Sequence, residues 1–459
     1  MSDAGPHVDA VDVQPSALGD LIRAGDRKGF AALLERLDPG DLVRTVARLE
    51  DEDRTRLLSL LDPDDAATLL GQLPEALAVD AMEDLEPVAA ARILEELPSD
   101  EQADLIGELD EGDARAIIRH LPDSDAAEVQ RLLTYADDVA GGLMVMEYLA
   151  YPIDATVAQV IEDLGANAEK YADYNIQYLY VTGADGALAG VLRMRDLVLS
   201  SRWRRLREIM IPDPSFVRDT DTLERLAGFF DEHRYFGVPV VDAAGALCGV
   251  VQRSAVEAAV ADDRDRIYLN AQGIVGGEEL RTMPLLLRAR RRLSWLSVNI
   301  VLNIIAASVI ALHQDTLEAV IALAVFLPII SDMSGCSGNQ AVAVSMRELT
   351  LGVIGPRDLW RTVAAEVTLG LLNGLVLGVL LALVAIMWKG QPYLGLVVGG
   401  ALMLNTVIAV IIGGSVPLLL KRMGVDPALA SGPILTTITD MCGFFIVLTM
   451  AAALIGKLT

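Results

Sequence analysis

Near the middle of an apolar run from Pro427 to Gly456 stands one acid, Asp440. The run is long enough to cross a bilayer, for which about 20 residues suffice. A carboxylate at that depth is costly and faces a cavity or a partner rather than lipid. Thr436 lies four residues before it and Gly443 three after, so on a helix the three share a face. Thr437 adds a second hydroxyl, and Pro433, which has no N–H, frees a backbone carbonyl nearby. Carboxylate, hydroxyls and carbonyls together make a hard oxygen surface, suited to a hard cation. A structural ion pair is the competing reading. The central parts of the apolar segments hold no Lys, Arg or His, whereas Asp332 and Glu366 add two more acids. An acid-only interior predicts a cation path.

The elements that must position this acid divide sharply by charge. The whole chain of 459 residues carries a net charge of −27. From residue 284 onward there are 11 Lys and Arg against 8 Asp and Glu, or +3, which leaves −30 for the rest. An acidic, water-facing part is thus joined to a nearly neutral apolar part. The acidic part is a poor partner for nucleic acid or anionic lipid and a plausible loose binder of divalent cations. The three cysteines, Cys248, Cys336 and Cys442, are scattered, which argues against a disulfide framework. Residues 1–20 are acidic and lack the apolar core of a signal peptide.

Residues 1–15 read as a disordered lead. Over residues 16–140 a repeat appears: Leu73-Pro74, Leu97-Pro98 and Leu121-Pro122 recur at a spacing of 24. Leu61-Asp62, Leu85-Glu86 and Leu109-Asp110 recur half a period out of phase, and Leu37 and Leu49 extend both series backward. Helices stop before proline, and acids suit the next N-terminus. The repeat predicts a superhelical stack of short helices. Residues 141–260 change to alternating helices and apolar strands, with turns at Gly183–Gly186 and Asp242–Gly245. This α/β pair resembles tandem CBS domains. The nucleotide signature of that family is Gly, two apolar residues, Ser or Thr, two residues, Asp. Here Gly190-Val191-Leu192-Arg193-Met194-Arg195-Asp196 keeps the Gly and the Asp, while Gly249-Val250-Val251-Gln252-Arg253-Ser254-Ala255 loses both hydroxyl and acid. Arg195 and Asp196 are therefore the candidate contacts for an adenine nucleotide such as ATP.

A linker over 253–283 opens with an acidic helix and leads to the apolar domain, 284–459. Five apolar segments can be drawn there, near 293–313, 317–345, 359–388, 393–420 and 427–456. With the N-terminus inside, the inner flanks hold Arg288, Arg290, Arg291, Arg292, Arg347, Arg357, Arg361, Lys421 and Arg422, and the outer flanks only Lys389 and Lys457. That asymmetry predicts a cytoplasmic N-terminus and an external C-terminus in a multi-pass protein of the cell (inner) membrane. The second segment carries Pro328, Asp332 and several small residues, which fit close helix packing together with a wet path.

The order of helical repeat, CBS pair, acidic linker helix and five membrane segments resembles the MgtE family of magnesium channels. Gly424-Val425-Asp426-Pro427-Ala428-Leu429, Pro433 with Thr436 and Thr437, Asp440 with Gly443, and Gly338-Asn339-Gln340 carry the likeness. Departures at Ser334-Gly335-Cys336 and Gly432 bear on ion selectivity. The resemblance implies Mg2+ uptake by a homodimer whose pore lies on the two-fold axis, with Asp440 facing it; Pro433, Thr436, Thr437 and Gly443, with Asp332 and Asn339 of the second segment, are the candidate pore-lining residues. It implies no enzymatic role. It also implies that the compact state of the acidic part is closed. Acidic surfaces repel, by about 4 kcal/mol for one like-charge pair at about 4 Å, and cytosolic Mg2+ that bridges them favours compaction. Glu257, Asp262 and Asp265 on the linker helix, with Asp426 before the last segment, are the candidate bridging residues. A proton- or sodium-coupled transporter of broader selectivity, carrying Co2+, Mn2+ or Zn2+, is the alternative. It also needs buried acids and is separated by a dependence of flux on a second ion. A membrane metalloprotease is disfavoured because the chain has no HExxH.

Overall fold

The structure, a computed structural model, describes residues 15–24, 39–172, 174, 176–274, 283, 285–425 and 427–458. The expected lead therefore lies outside the described residues except for Pro15, and so does Leu37. Two compact units divide the chain, Met1–Asp263 and Arg264–Thr459.

In the first unit, the described residues before 133 form nine short helices, from α1 (Pro15–Ala24) to α9 (Asp123–Leu132). The sequence sets their ends. Pro63 and Pro87 occupy first-turn positions, where a missing N–H costs nothing. Acids such as Asp64, Asp65, Glu111 and Asp113 fill first turns and complement the helix dipole. From Asp51 onward each helix packs against the one two places along the chain, as a solenoid requires. The repeated leucines are the glue: Leu49, Leu73, Leu85, Leu97, Leu109 and Leu121 all lie in one continuous core.

Two four-stranded sheets follow. One has strand order β2-β3-β4-β5, the other β1-β8-β7-β6. Here β1 is Met144–Val145, β2 Leu149–Pro152, β3 Tyr178–Thr182, β4 Leu188–Arg193, β5 Ile211–Pro212, β6 Val217–Arg218, β7 Gly237–Val241 and β8 Leu247–Gln252. Helices α10 (Val157–Ala166), α11 (Met194–Val198) and α12 (Leu223–Glu232) complete the pair. The hairpins β3-β4 and β7-β8 turn on Gly186 and Gly245, both at positive φ, where glycine is unstrained. The two turns also bond each other, Leu188 N–H to the Gly245 carbonyl and Leu247 N–H to the Gly186 carbonyl, both 3.2 Å. The pair is thus a pseudo-symmetric object. The sequence reading missed one feature: β1, too short for a periodicity signal, leaves the first repeat and pairs with β8 of the second.

Helix α13 (Arg253–Ala271) continues directly from β8. The second unit is helical: α14 (Leu285–Leu312), the short α15 (Gln314–Ala319), α16 (Leu323–Thr350), α17 (Leu359–Lys389), α18 (Pro392–Arg422), α19 (Pro427–Ala453) and α20 (Ile455–Leu458). Helix α18 is central and touches α16, α17 and α19. In lipid, apolar surface alone gives no drive for helices to associate, so small residues that allow close approach do the packing. On α17, Gly370, Gly374 and Gly378 form one buried stripe, and a Cβ on Gly374 or Gly378 would stand 2.8 Å or 2.6 Å from a carbonyl oxygen of α18. Among the described residues four helices are long and apolar enough to cross a membrane: α14, α17, α18 and the Ser431–Ala453 part of α19. Helix α16 is 28 residues long but less apolar, because Ser331, Asp332, Ser334, Ser337, Asn339 and Gln340 fill its middle. It runs unbroken through Pro328, and its small residues pack: Ser334, Ser337 and Gly338 are buried.

Candidate cation site

Asp440 lies on α19 with 9% of its surface exposed. Its partner is a hydroxyl rather than a base: Ser331, on α16, donates to Asp440 Oδ1. The two threonines engage their own helix. Thr436 donates to the Gly432 carbonyl at 3.0 Å and Thr437 to the Pro433 carbonyl at 2.7 Å. A hydroxyl whose proton is held this way offers only lone pairs outward. The waters of a hydrated cation point protons outward, so acceptors are what such an ion needs. The expected stripe of Thr436, Asp440 and Gly443 differs in burial along its length: Thr436 is exposed, while Asp440 and Gly443 are buried.

Gly443 is buried because α18 comes very close. A Cβ there would lie 2.6 Å from Asn405 Nδ2. Asn405 is fully buried, and its amide donates to the Thr439 carbonyl at 3.0 Å. The sequence reading missed both Ser331 and Asn405. Each is a polar residue in an apolar helix, and that signal could have singled them out.

The other predicted residues are placed as follows. Asp332 and Asn339 are exposed on α16 within the single chain, and Pro433 is half-buried. Glu366 on α17 stands against Gly414 of α18 and keeps one carboxyl oxygen buried without a hydrogen-bond partner. Glu257, Asp262 and Asp265 are exposed along α13, and Glu257 lies 3.6 Å from Arg253. Asp426 lies outside the described residues. Among the described residues no group of three or more His, Cys, Asp and Glu side chains forms a ready metal cage.

Acids do gather in the first unit. Burial pushes the Asp100 carboxyl up to about 7, aided by repulsion from Glu101 and Glu147. Asp104 is pushed the same way, by desolvation and then by Asp100, Asp137 and Glu75, although its side chain still reaches water, which screens part of the effect. Beside them, Ser99 ties the helical repeat to the strand region by donating to Glu147 from its N–H (3.1 Å) and its hydroxyl (2.8 Å).

In the CBS-like pair, Asp196 is bound by Arg193 at 2.8 Å and Arg195 at 3.5 Å, with Arg195 largely exposed. A cleft of about 210 Å3 opens elsewhere, lined by Glu147, Tyr148, Tyr178, Phe236, Arg253 and Glu257 among others, and neither Arg195 nor Asp196 lines it. Arg253 in that cleft is held by the carbonyls of Phe230, His233 and Tyr235.

These features define an integral membrane protein with an acid buried in its helical bundle and a sizeable acidic part outside it. Residues 327–450 match the MgtE divalent cation transporter family, residues 20–138 the MgtE intracellular N domain and residues 206–262 the CBS domain. The chain is 35% identical over 334 residues to the magnesium transporter MgtE of Thermus thermophilus, covering 72% of this chain and 73% of that one. It is 31% identical over 331 residues to the magnesium transporter MgtE of Bacillus subtilis, covering 72% of each. Among solved structures, the cytosolic domain of the Mg2+ channel MgtE in complex with ATP is 32% identical and covers 53% of this chain and 99% of that chain, with a TM-score of 0.49. The chain belongs to the MgtE family.

Proposed function

We propose that this chain passes Mg2+ across the cell membrane as a homodimer, with Asp440 of each copy facing the ion path on the two-fold axis. The observation that carries this reading is a buried carboxylate, deep in an apolar bundle, whose partner is the hydroxyl of Ser331 and not a base. Mg2+ gives up its waters reluctantly. One carboxylate from each copy, with one oxygen held by Ser331, and threonines that present lone pairs suit recognition through those waters rather than a stripped ion. Few charges also favour release, which conduction requires. The negative interior of a cell drives entry by about 2.3 kcal/mol per charge per 100 mV, twice that for a divalent ion.

In this reading α14, α16, α17, α18 and α19 all span the membrane, with α16 shielded from lipid by its neighbours and by the second copy, and with the N-terminus on the cytosolic side. Cytosolic Mg2+ gates the path by bridging acids of the helical repeat, the CBS pair and α13, with Glu257, Asp262, Asp265 and Asp426 as the candidate ligands. Arg195, an exposed guanidinium beside Asp196, supports an adenine nucleotide as a second ligand of the CBS pair.

The deciding experiment is divalent flux into liposomes that hold the purified protein. Asp440→Ala is expected to abolish Mg2+ entry while the protein stays folded, and Asp440→Asn to retain little. Wild-type flux in Asp440→Ala removes this residue from the mechanism. One observation favours a second reading, a proton-coupled transporter: the unpaired buried oxygen of Glu366. In that case Mg2+ flux follows an imposed proton gradient and Glu366→Gln uncouples it.

A further inference from the structure

Two bonds from two different helices converge on adjacent residues of α19. From α16, Ser331 donates to Asp440 Oδ1. From α18, Asn405 donates to the Thr439 carbonyl at 3.0 Å. The first bond takes one carboxylate oxygen and leaves the other for the waters of an ion. The second grips the backbone one residue earlier, and so sets the height and rotation of the turn that carries Asp440. Gly443 is what lets Asn405 reach, since any side chain there meets its amide.

The energetics of Asn405 are unusual for a residue kept for stability. It is fully buried, and its Oδ1 has no hydrogen-bond partner. A buried acceptor without a partner is destabilising, and this cost offsets part of what the bond to Thr439 contributes. The fold thus tolerates a local cost at a position from which an amide holds the turn before Asp440.

We propose that Ser331 and Asn405 are positioning residues that fix the direction and height of the Asp440 carboxylate and thereby set the preference for Mg2+ over Ca2+. The proposal rests on the reading of Asp440 as the acid of the ion path. Discrimination follows from geometry. Mg2+ holds a compact octahedral water shell, whereas Ca2+ accepts more ligands at longer distances and in looser arrangements. A carboxylate fixed in place suits one shell, and a carboxylate free to swing accommodates both.

The test compares Mg2+ and Ca2+ flux into liposomes for the full-length wild type, Ser331→Ala, Ser331→Thr, Asn405→Leu and Asp440→Ala, with melting temperature measured on the same preparations. In Ser331→Ala and Asn405→Leu the ratio of Mg2+ to Ca2+ flux is expected to fall about tenfold, the factor that one hydrogen bond commands. Asn405→Leu gives up the bond to Thr439 and also the unpartnered acceptor, so it melts close to the wild type, and Ser331→Thr, which keeps the hydroxyl, restores the ratio. An unchanged ratio in folded Ser331→Ala and Asn405→Leu, alongside a dead Asp440→Ala, overturns this proposal alone. So does a wild type that passes both ions equally. A variant that fails to fold assigns its residue a structural role and counts against positioning. Wild-type flux in Asp440→Ala instead overturns the reading of the path itself.

Discussion

Substituting Gly443 by Ala adds one methyl at a close approach between α18 and α19, one turn from Asp440. The built Cβ lies 2.6 Å from Asn405 Nδ2, 3.3 Å from its Cγ and 3.5 Å from Ile330 Cγ2. Ordinary contact begins at 3.4 Å, so the amide must retreat by about 0.8 Å. It cannot swing into solvent, because Asn405 is fully buried. Either the helices part or the amide leaves the Thr439 carbonyl. Overpacking of this kind costs about 1–3 kcal/mol, and about 1 of that is the hydrogen bond if it breaks. At roughly 2–4 °C per kcal/mol for a unit of this size, the melting temperature in detergent falls by several degrees. Mg2+ flux falls with it, since the strain sits one turn from Asp440. The double variant Gly443→Ala with Asn405→Ala makes room for the methyl and recovers stability relative to Gly443→Ala alone, a non-additivity expected only of groups in contact. Gly443→Ala with wild-type melting and wild-type flux, or strictly additive effects in the double variant, refutes the close approach and with it the clamp on Thr439.

Three further outcomes are expected. In a background without the native cysteines, Thr459→Cys reacts with an impermeant reagent in intact cells and Gly276→Cys does not; the opposite pattern overturns the five-span topology. At constant ionic strength, millimolar Mg2+ protects the chain near 262–276 from protease, and neutralising Glu257, Asp262 and Asp265 together weakens that protection; equal cleavage with and without Mg2+ removes the sensor. The third concerns pH. The Asp100 carboxyl sits at about 7 in the folded protein against an ordinary value of 3.8, so its contribution is full below about pH 4 and is lost as the pH rises through 7. Asp100→Asn is therefore expected to raise the melting temperature at pH 8 more than at pH 5, and an equal change at both removes the buried carboxyl as the cause.

Much of the fold was legible because it rests on local rules. The leucines spaced 24 apart became the solenoid core since proline and acids dictate where short helices stop, whatever packs on them. The strands of the CBS-like pair followed from alternation and from glycines at turns. Pairing between repeats was not legible: β1 joins the second sheet through two residues, and two residues carry no period.

The site shows the same division more sharply. Asp440 was legible because a charge in an apolar run is costly wherever the helix faces. Its partner was not. The sequence reading weighed the charged Asp332, but the residue that reaches Asp440 is Ser331, one position and about 100° around the helix. Which of the two faces α19 depends on the rotation of α16, and that rotation is set by contacts distant in sequence. A Cβ on Gly413 would lie 2.2 Å from the Gly338 carbonyl, and one on Gly338 would lie 2.7 Å from Leu435. Those glycines let α16, α18 and α19 approach closely in a phase of α16 that turns Ser331 inward and leaves Asp332 on the exposed side. Glycine positions are visible in a sequence; which glycine meets which carbonyl is a property of three helices together. The identity of the acid therefore follows from solvation, while its aim follows from close packing, and the clamp formed by Ser331 and Asn405 belongs to the second kind.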